Sequence, residues 1–426
     1  MLFNKARTAL CAAPLLLIAA AAQAGTFQSL YAFTGGTDGL SPNSPLLQSG
    51  KTLYGTTQGN SGNSDGTVFT FTVATKKLKV DYTFKGFKKH KPTDGIGPYG
   101  GVTEIGSLLY GTTLFAGSPD SCNGGDFCGS IYAVNPKTRK ETIVHSFTPA
   151  DGGEPFGTLL NVGGLLYGQT RVGGTTTAGT VFSFDPSSLA VNTLYTFQGG
   201  TDGDFPSVNL VSIGTTLYGA TALGGAAAPC GTAPFNTCGT LFSVDSATGA
   251  KTTLYSFLGG SDGGRPSGLV VVGNIIYGTT TTNGACTPQP CDGGTIFSYD
   301  TSTNILTTLY EFQGSTGGGG DGLFPYGAMI DVGGVLYGTT SEGGVTANCP
   351  NSDGCGTIFS YNIATGVENI EYAFPAGSGT GAPPDGFAPA GSMINVGGVL
   401  YGTTPNGGVS SAVCANGCGT IFSYKP

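Results

Sequence analysis

The chain has 426 residues, of which only 10% are charged, and a formal net charge of −8 at neutral pH. A chain this acidic is a poor candidate for binding nucleic acid or anionic membranes. Its 76 glycines and low charge would on their own suggest disorder, but a regular aromatic repeat argues against that.

Residues 1–24 carry the marks of a secretory signal. Lys5 and Arg7 make a basic start, Ala12 to Ala22 an apolar stretch, and Ala22-Gln23-Ala24 a small-residue cleavage site before Gly25. The apolar part is short for a bilayer span; a retained membrane anchor is the alternative. Cys11 lies inside it without a lipidation context, and no later segment is apolar enough to cross. Cleavage would leave one domain, residues 25–426, of 402 residues (426 − 24), and would take the charge to −10 by removing Lys5 and Arg7. The expected location is secreted or periplasmic.

The mature chain opens on the strand-like run Leu30-Tyr31-Ala32-Phe33, and a short apolar run then leads to Leu53-Tyr54-Gly55-Thr56-Thr57. Leu-Tyr-Gly-Thr-Thr or a near copy occurs seven times, at Tyr54, Tyr110, Tyr167, Tyr218, Tyr277, Tyr337 and Tyr401. The intervals run from 51 residues (Tyr167 to Tyr218) to 64 (Tyr337 to Tyr401). After each copy comes a second marker, such as Gly66-Thr67-Val68-Phe69 or Gly294-Thr295-Ile296-Phe297. A Tyr-x-Phe run follows, with His145 in the tyrosine place of Val144-His145-Ser146-Phe147. Each unit thus has four short segments, rich in β-branched and aromatic residues and bounded by turn formers, and the mature chain has no helical periodicity. Four antiparallel strands repeated seven times read as an all-β, seven-bladed β-propeller.

We label the strands a (apolar run), b (Leu-Tyr-Gly), c (Gly-Thr-Ile-Phe) and d (Tyr-x-Phe). The chain begins with a d-type strand and stops after Gly419-Thr420-Ile421-Phe422, so the first strand is expected to complete the seventh blade. The rival is an open solenoid, which would need atypical capping units.

Ten cysteines follow the signal, spaced as Cys122/Cys128, Cys230/Cys238, Cys286/Cys291, Cys349/Cys355 and Cys414/Cys418. Every pair falls between strands b and c of one unit. Five local disulfides in an oxidising compartment are expected; zinc is the alternative, disfavoured by a chain with two histidines. Antiparallel order puts the b–c and d–a loops on one face. The short a–b turns, such as Val332-Gly333-Gly334, lie on the other. The face with the long, stapled loops is the expected binding face.

All seven d–a loops contain Asp-Gly-x-x-Pro, with aspartates Asp38, Asp94, Asp151, Asp202, Asp262, Asp321 and Asp385. A residue repeated seven times most simply serves the repeated backbone, as a turn acceptor before a proline. A carboxylate ring holding a structural calcium ion is the alternative. No other cofactor and no metal site is indicated, and there is no Gly-x-Ser-x-Gly, histidine cluster or phosphate loop.

Function is therefore expected where the symmetry breaks. The positions between Gly and Pro include Glu154, Asp204 and Arg265; Arg171 has no basic counterpart in other units, and Gln169 replaces a threonine beside it. The second d–a loop carries Lys85, Lys88, Lys89, His90 and Lys91, and the inner strands begin with Tyr99, Phe156, Phe205 and Tyr326. These residues are expected on one sector of one face. Glu154 and Asp204 beside Arg171 and Arg265 would suit acid–base chemistry on a sugar, or they are solvated ion pairs, the favoured reading. Lys88, Lys89, His90 and Lys91, with Tyr99 and Tyr326, are ligand-binding candidates; as a site the lysine run suits carboxylate or phosphate, and a solvated surface run is the alternative. His145 reads as a packed residue between blades.

The combination Leu-Tyr-Gly-Thr-Thr, Gly-Gly, Gly-Thr-Ile-Phe-Ser-Tyr, Leu-Tyr-Ser-Phe and Asp-Gly-x-x-Pro resembles the GloVer-type tandem repeat of bacterial exported proteins. The resemblance covers residues 26–424 and implies a kelch-like propeller; it brings no catalytic residues. Two functions follow as expectations. The first is a secreted binding or scaffold propeller, a monomer with a glycan or protein ligand. The second is an extracellular hydrolase or lyase acting on an acidic polysaccharide.

Overall fold

The computed structural model describes residues 25–426 apart from 60–64, 89–90, 93, 117–120, 124–125, 226–237, 283–292, 314–319, 345–348, 351–352 and 376–382. For 87–88, 91–92, 121–123 and 126–127 it gives the backbone.

Seven antiparallel sheets form a ring. Blade three shows the plan: strand a Gly153–Val162, b Leu165–Val172, c Thr180–Asp185 and d Ala190–Thr196, in that spatial order. Blade four divides strand a into Asp204–Pro206 and Val211–Ile213, both paired to strand b. Blade seven takes its fourth strand from the chain start: Thr26–Ala32 pairs antiparallel with Thr420–Lys425, Thr26 opposite Lys425 and Ala32 opposite Thr420. The ring is closed by backbone hydrogen bonds between the two ends of the described chain.

The repeated residues are the ones that build this ring. The tyrosine of Leu-Tyr-Gly is followed by glycine because the c-strand ring lies directly over it: a Cβ on Gly55 would sit 2.5 Å from the Phe69 ring. The last threonine of each motif meets the threonine of the c strand in a buried pair, as in Thr57 with Thr67 at 2.9 Å and Thr404 with Thr420 at 2.8 Å; blade two substitutes Ser130. The phenylalanine of each d strand packs edge-on against the c-strand ring of the next blade, with centroids 5.0 to 5.6 Å apart. The apolar core accordingly lies between blades. One cluster joins Tyr167, Val181 and Phe197 of blade three to Leu210, Leu217 and Phe242 of blade four.

The loop sequence Asp-Gly-x-x-Pro is a joint between neighbouring blades. In six blades the d-strand tyrosine hydroxyl donates to the aspartate at 2.6 to 3.1 Å, and in the remaining one His145 Nε2 lies 2.8 Å from Asp151. The residue before each proline adopts positive φ, between 52° and 65°: Ser41, Gly97, Glu154, Phe205, Arg265, Phe324 and Ala388. Residues before proline ordinarily avoid helical backbone geometry. Here the N–H of each donates to the carbonyl just before the glycine of the preceding c strand, as in Glu154 N–H to Cys128 O at 3.0 Å and Arg265 N–H to Cys238 O at 2.8 Å. The proline ring then rests on that glycine. A Cβ on Gly66 would lie 2.4 Å from Pro98 Cδ, and glycine is required there at φ +110°.

One further position lies at every seam: the d-strand residue opposite the end of strand c. It is Leu78, Val191 and Leu306 in blades one, three and five, and Phe27 in blade seven, where its ring stacks on Tyr372 at 3.9 Å. Blade four has Lys251, whose Nζ is 2.7 Å from Asp202 of the preceding loop. Blades two and six have Glu141 and Glu368.

Candidate functional site

The residue after each loop proline starts an inner strand and faces the ring axis. Asn43, Tyr99, Phe156, Ser207, Ser267, Tyr326 and Ala390, one per blade, line a cavity of about 460 Å³ in the channel. Beyond them the inner strands converge so closely that a Cβ on Gly100 would lie 2.0 Å from Gly157 O, and one on Gly268 2.2 Å from Gly327 O. The cavity opens where strands a begin and strands b end. That end carries the d–a and b–c loops.

Two arginines enter it. Arg265 comes from the pre-proline position of blade five. Arg171 comes from the end of strand b in blade three, where blades four and five have Ala222 and Thr281. The Arg171 guanidinium carbon lies 3.6 Å from the centroid of the Phe156 ring and 5.0 Å from that of Phe205. Its Nε is buried without a hydrogen-bond partner among the described residues. Burial pushes its pKa down to about 10, against the opposing pull of Glu154. At neutral pH it is still a cation.

The structure therefore brings Tyr99, Arg171, Arg265 and Tyr326 into one cavity with Phe156 and Phe205. It does not bring the two carboxylates there. Glu154 is buried at 9% exposure, close enough for its charge to act on Arg171, but forms no ion pair with it. Asp204 stands one residue before Phe205 and is not part of the cavity wall. That position holds buried Leu40, Leu323 and Phe387 in other blades, and burial raises the Asp204 pKa. Among the described residues the cavity wall carries no carboxylate, imidazole or thiol.

Gln169 proves to be a longer version of the threonine it replaces. Its amide donates to Val208 O of the next inner strand, as Thr112 does to Gly157 O at 3.4 Å and Thr403 to Ser44 O at 3.4 Å. His145 makes the same seam contact as the tyrosines and lies edge-on to Phe147 at 4.8 Å. Each loop aspartate directs its oxygens to a seam partner and, among the described residues of six loops, to backbone N–H groups, as in Asp94 with Lys85 and Gly86 at 2.9 Å. Hydrogen bonds from His145 and Thr148 outweigh the effect of burial and lower the Asp151 pKa.

Cys349–Cys355 and Cys414–Cys418 are disulfide-bonded within their b–c loops. Cys128 and Cys238 are disulfide-bonded as well. The side chains of Cys122, Cys230, Cys286 and Cys291 lie outside the described residues. So do those of Lys88, Lys89, His90 and Lys91; the backbone of 87–88 pairs antiparallel with 91–92. The signal at 1–24 also lies outside them.

Sequence reasoning passed over the seam residues Glu141, Lys251 and Glu368 and the axial Asn43, Ser207 and Ser267. The signal for the axial set was present, since each directly follows a loop proline.

The family model of the Gloeobacter/Verrucomicrobia repeat matches residues 231–422. These residues are similar to Gloeobacter/Verrucomicrobia repeats. Blades one to three carry the same joints and buried pairs as the matched part, so the repeat's residues serve one structural role around the whole ring. No curated protein matches the chain in sequence. Among solved structures, an oligogalacturonate lyase in complex with manganese is similar at TM-score 0.53 and 10% identity, over 94% of this chain and 96% of that chain. The extracellular domain of the one component system BT4673 from B. thetaiotaomicron is similar at TM-score 0.54 and 11% identity, over 94% of this chain but only 40% of that one. At these identities the likeness is one of fold alone. Among the described residues no helix is long and apolar enough to cross a membrane.

Proposed function

We propose that this repeat propeller is an exported binding protein that seats a glycan at the channel mouth on the face of the stapled loops. The observation that carries the reading is the composition of that mouth: aromatic rings and two arginines around a cavity with small polar side chains and, among the described residues, no carboxylate, imidazole or thiol. Its volume of about 460 Å³ falls in the range of roughly 300–1,000 Å³ usual for small-ligand sites. Rings give stacking area, and Asn and Ser give hydroxyl partners. A secretory leader at 1–24, as expected from the sequence, together with disulfide-bonded loops would suit a secreted or periplasmic protein.

A second reading is a lyase or hydrolase acting on an acidic polysaccharide. It is favoured by the two arginines and by the similar fold of an oligogalacturonate lyase. An array of plant and bacterial polysaccharides, scored for both retention and product release, separates the two. Retention without release supports the binding protein. Release abolished by Arg171→Ala or Arg265→Ala supports the enzyme. Neither retention nor release overturns both.

A further inference from the structure

We propose that the channel mouth contains a carboxylate subsite, in which Arg171 anchors the acid group of a uronic acid residue while the sugar lies toward Tyr99 and Tyr326. This deepens the binding reading above and rests on it.

The argument starts from how this chain treats its other cations. Lys251 is built into a seam, where its Nζ meets Asp202 Oδ1 at 2.7 Å, Asp202 O at 2.6 Å and Thr253 Oγ1 at 2.6 Å. Lys79 meets Asp81 at 2.7 Å. Where a cation serves the fold, the chain supplies an acceptor. Arg171 differs: its guanidinium has five N–H donors, yet among the described residues no hydrogen bond or ion pair engages them. Two phenylalanine rings fix its plane, and removal from water lowers its pKa. Glu154 supplies a nearby negative charge without contact, and Arg265 adds a second positive one on the same wall. An immobilised, dehydrated fork of donors with no internal acceptor is complementary to a planar, two-oxygen anion from outside.

The rest of the cavity limits what carries that anion. Tyr326 is 46% exposed at the rim, and Tyr99 lies 5.9 Å from the Phe156 ring that supports Arg171. Asn43 Oδ1 is buried without a partner among the described residues. A ring with hydroxyl groups and one carboxylate uses all of these: faces for the tyrosines, a donor for Asn43, and two acceptors for Arg171.

Calorimetric titration of the mature protein with trigalacturonate, neutral galactotriose and a sulfated galactotriose tests the assignment. The expected result is at least tenfold preference for trigalacturonate over the other two. Arg171→Met should reduce trigalacturonate binding at least tenfold with an unchanged melting temperature. Arg171→Lys, which keeps the charge but loses the fork and the stacking, should also weaken it several-fold. Glu154→Gln should strengthen it a few-fold by removing a competing charge. The subsite is overturned if both Arg171 variants bind as the parent does, or if the neutral or sulfated trimer binds as tightly. If no trimer binds while the polysaccharide array finds a neutral glycan, the subsite fails and the binding reading stands; if the array finds nothing, both fail.

Discussion

Replacing Glu141 and Glu368 with glutamine should remove a pH dependence built into two of the seven seams. Each glutamate sits where other blades place Leu, Val or Phe, and each faces a loop aspartate, Asp94 or Asp321, that already accepts a tyrosine hydroxyl. Burial, reinforced by that aspartate, raises both glutamates from an ordinary 4.5 to about 7. The unfolded chain releases these protons near 4.5, whereas the folded chain holds them to about 7. Between those values the folded state binds more protons, so its stability falls as pH rises. The contribution is complete below about 4.5 and lost above about 7. Taken at face value a shift of that size is about 3 kcal/mol per glutamate; partial exposure screens it, leaving about 1–2 kcal/mol at each seam. For a chain of this length that is a loss of about 2–4 °C in melting temperature from both seams together. Scanning calorimetry at pH 5 and pH 7.5 should show the parent melting higher at pH 5 and the Glu141→Gln, Glu368→Gln protein with that difference largely gone. Lys251 provides the internal control, because Lys251→Glu copies the acidic seam into blade four and should steepen the dependence. The reasoning is refuted if the double variant keeps the parental slope.

Other seams give further expectations. Gly66→Ala places a Cβ 2.6 Å from Thr57 O and 2.4 Å from Pro98 Cδ at φ +110°, so a loss of about 2–4 kcal/mol is expected in urea unfolding. Removing residues 25–33 opens blade seven and exposes the faces that Phe27 and Phe33 cover, at about 1.5–3 kcal/mol per aromatic side chain. A synthetic peptide of residues 26–33 added in trans should restore the melting temperature, and no recovery would count against closure by that strand. Replacing Cys349 and Cys355 with alanine removes a short cross-link that contributes about 2 kcal/mol at most. Proteolysis near Gly343–Gly354 should quicken while the melting temperature falls by about 3 °C or less.

The blade count, the strand phase and the closing strand were legible because they depend on residues that recur at fixed offsets, such as Tyr54-Gly55 and Gly66-Thr67. The loop joint was half legible. Asp and Pro stand out in Asp-Gly-x-x-Pro, but the positive φ of the residue before proline does not, since it contradicts the local preference and is maintained by a hydrogen bond from the previous blade. The aspartates' partners escaped for a similar reason. Tyr31 and Asp38, or Tyr82 and Asp94, read as two separate motifs until the fold brings them into contact. In the site, the register of one residue decided the outcome. Asp204 and Phe205 are adjacent in sequence, and only Phe205 reaches the cavity.

Register keeps Asp204 off the cavity wall, whereas Glu154 shares the pre-proline position of Phe205 and Arg265 and is buried away from that wall. The pre-proline position is fixed by backbone geometry in all seven blades, so its side chain is free to vary from Ser41 to Phe324 without disturbing the joint. In blades four and five that variation puts Phe205 and Arg265 on the cavity wall while the ring stays the same. Arg171 needs more: a neighbour at that fixed position in the next blade, Phe205, and an aromatic after its own blade's proline, Phe156, to hold the guanidinium between them. Three separate departures from the repeat meet at one point on the axis. Each on its own would be unremarked surface variation, and their convergence on a cation without an internal acceptor is what marks the sector between blades three and five as the place to look for a ligand.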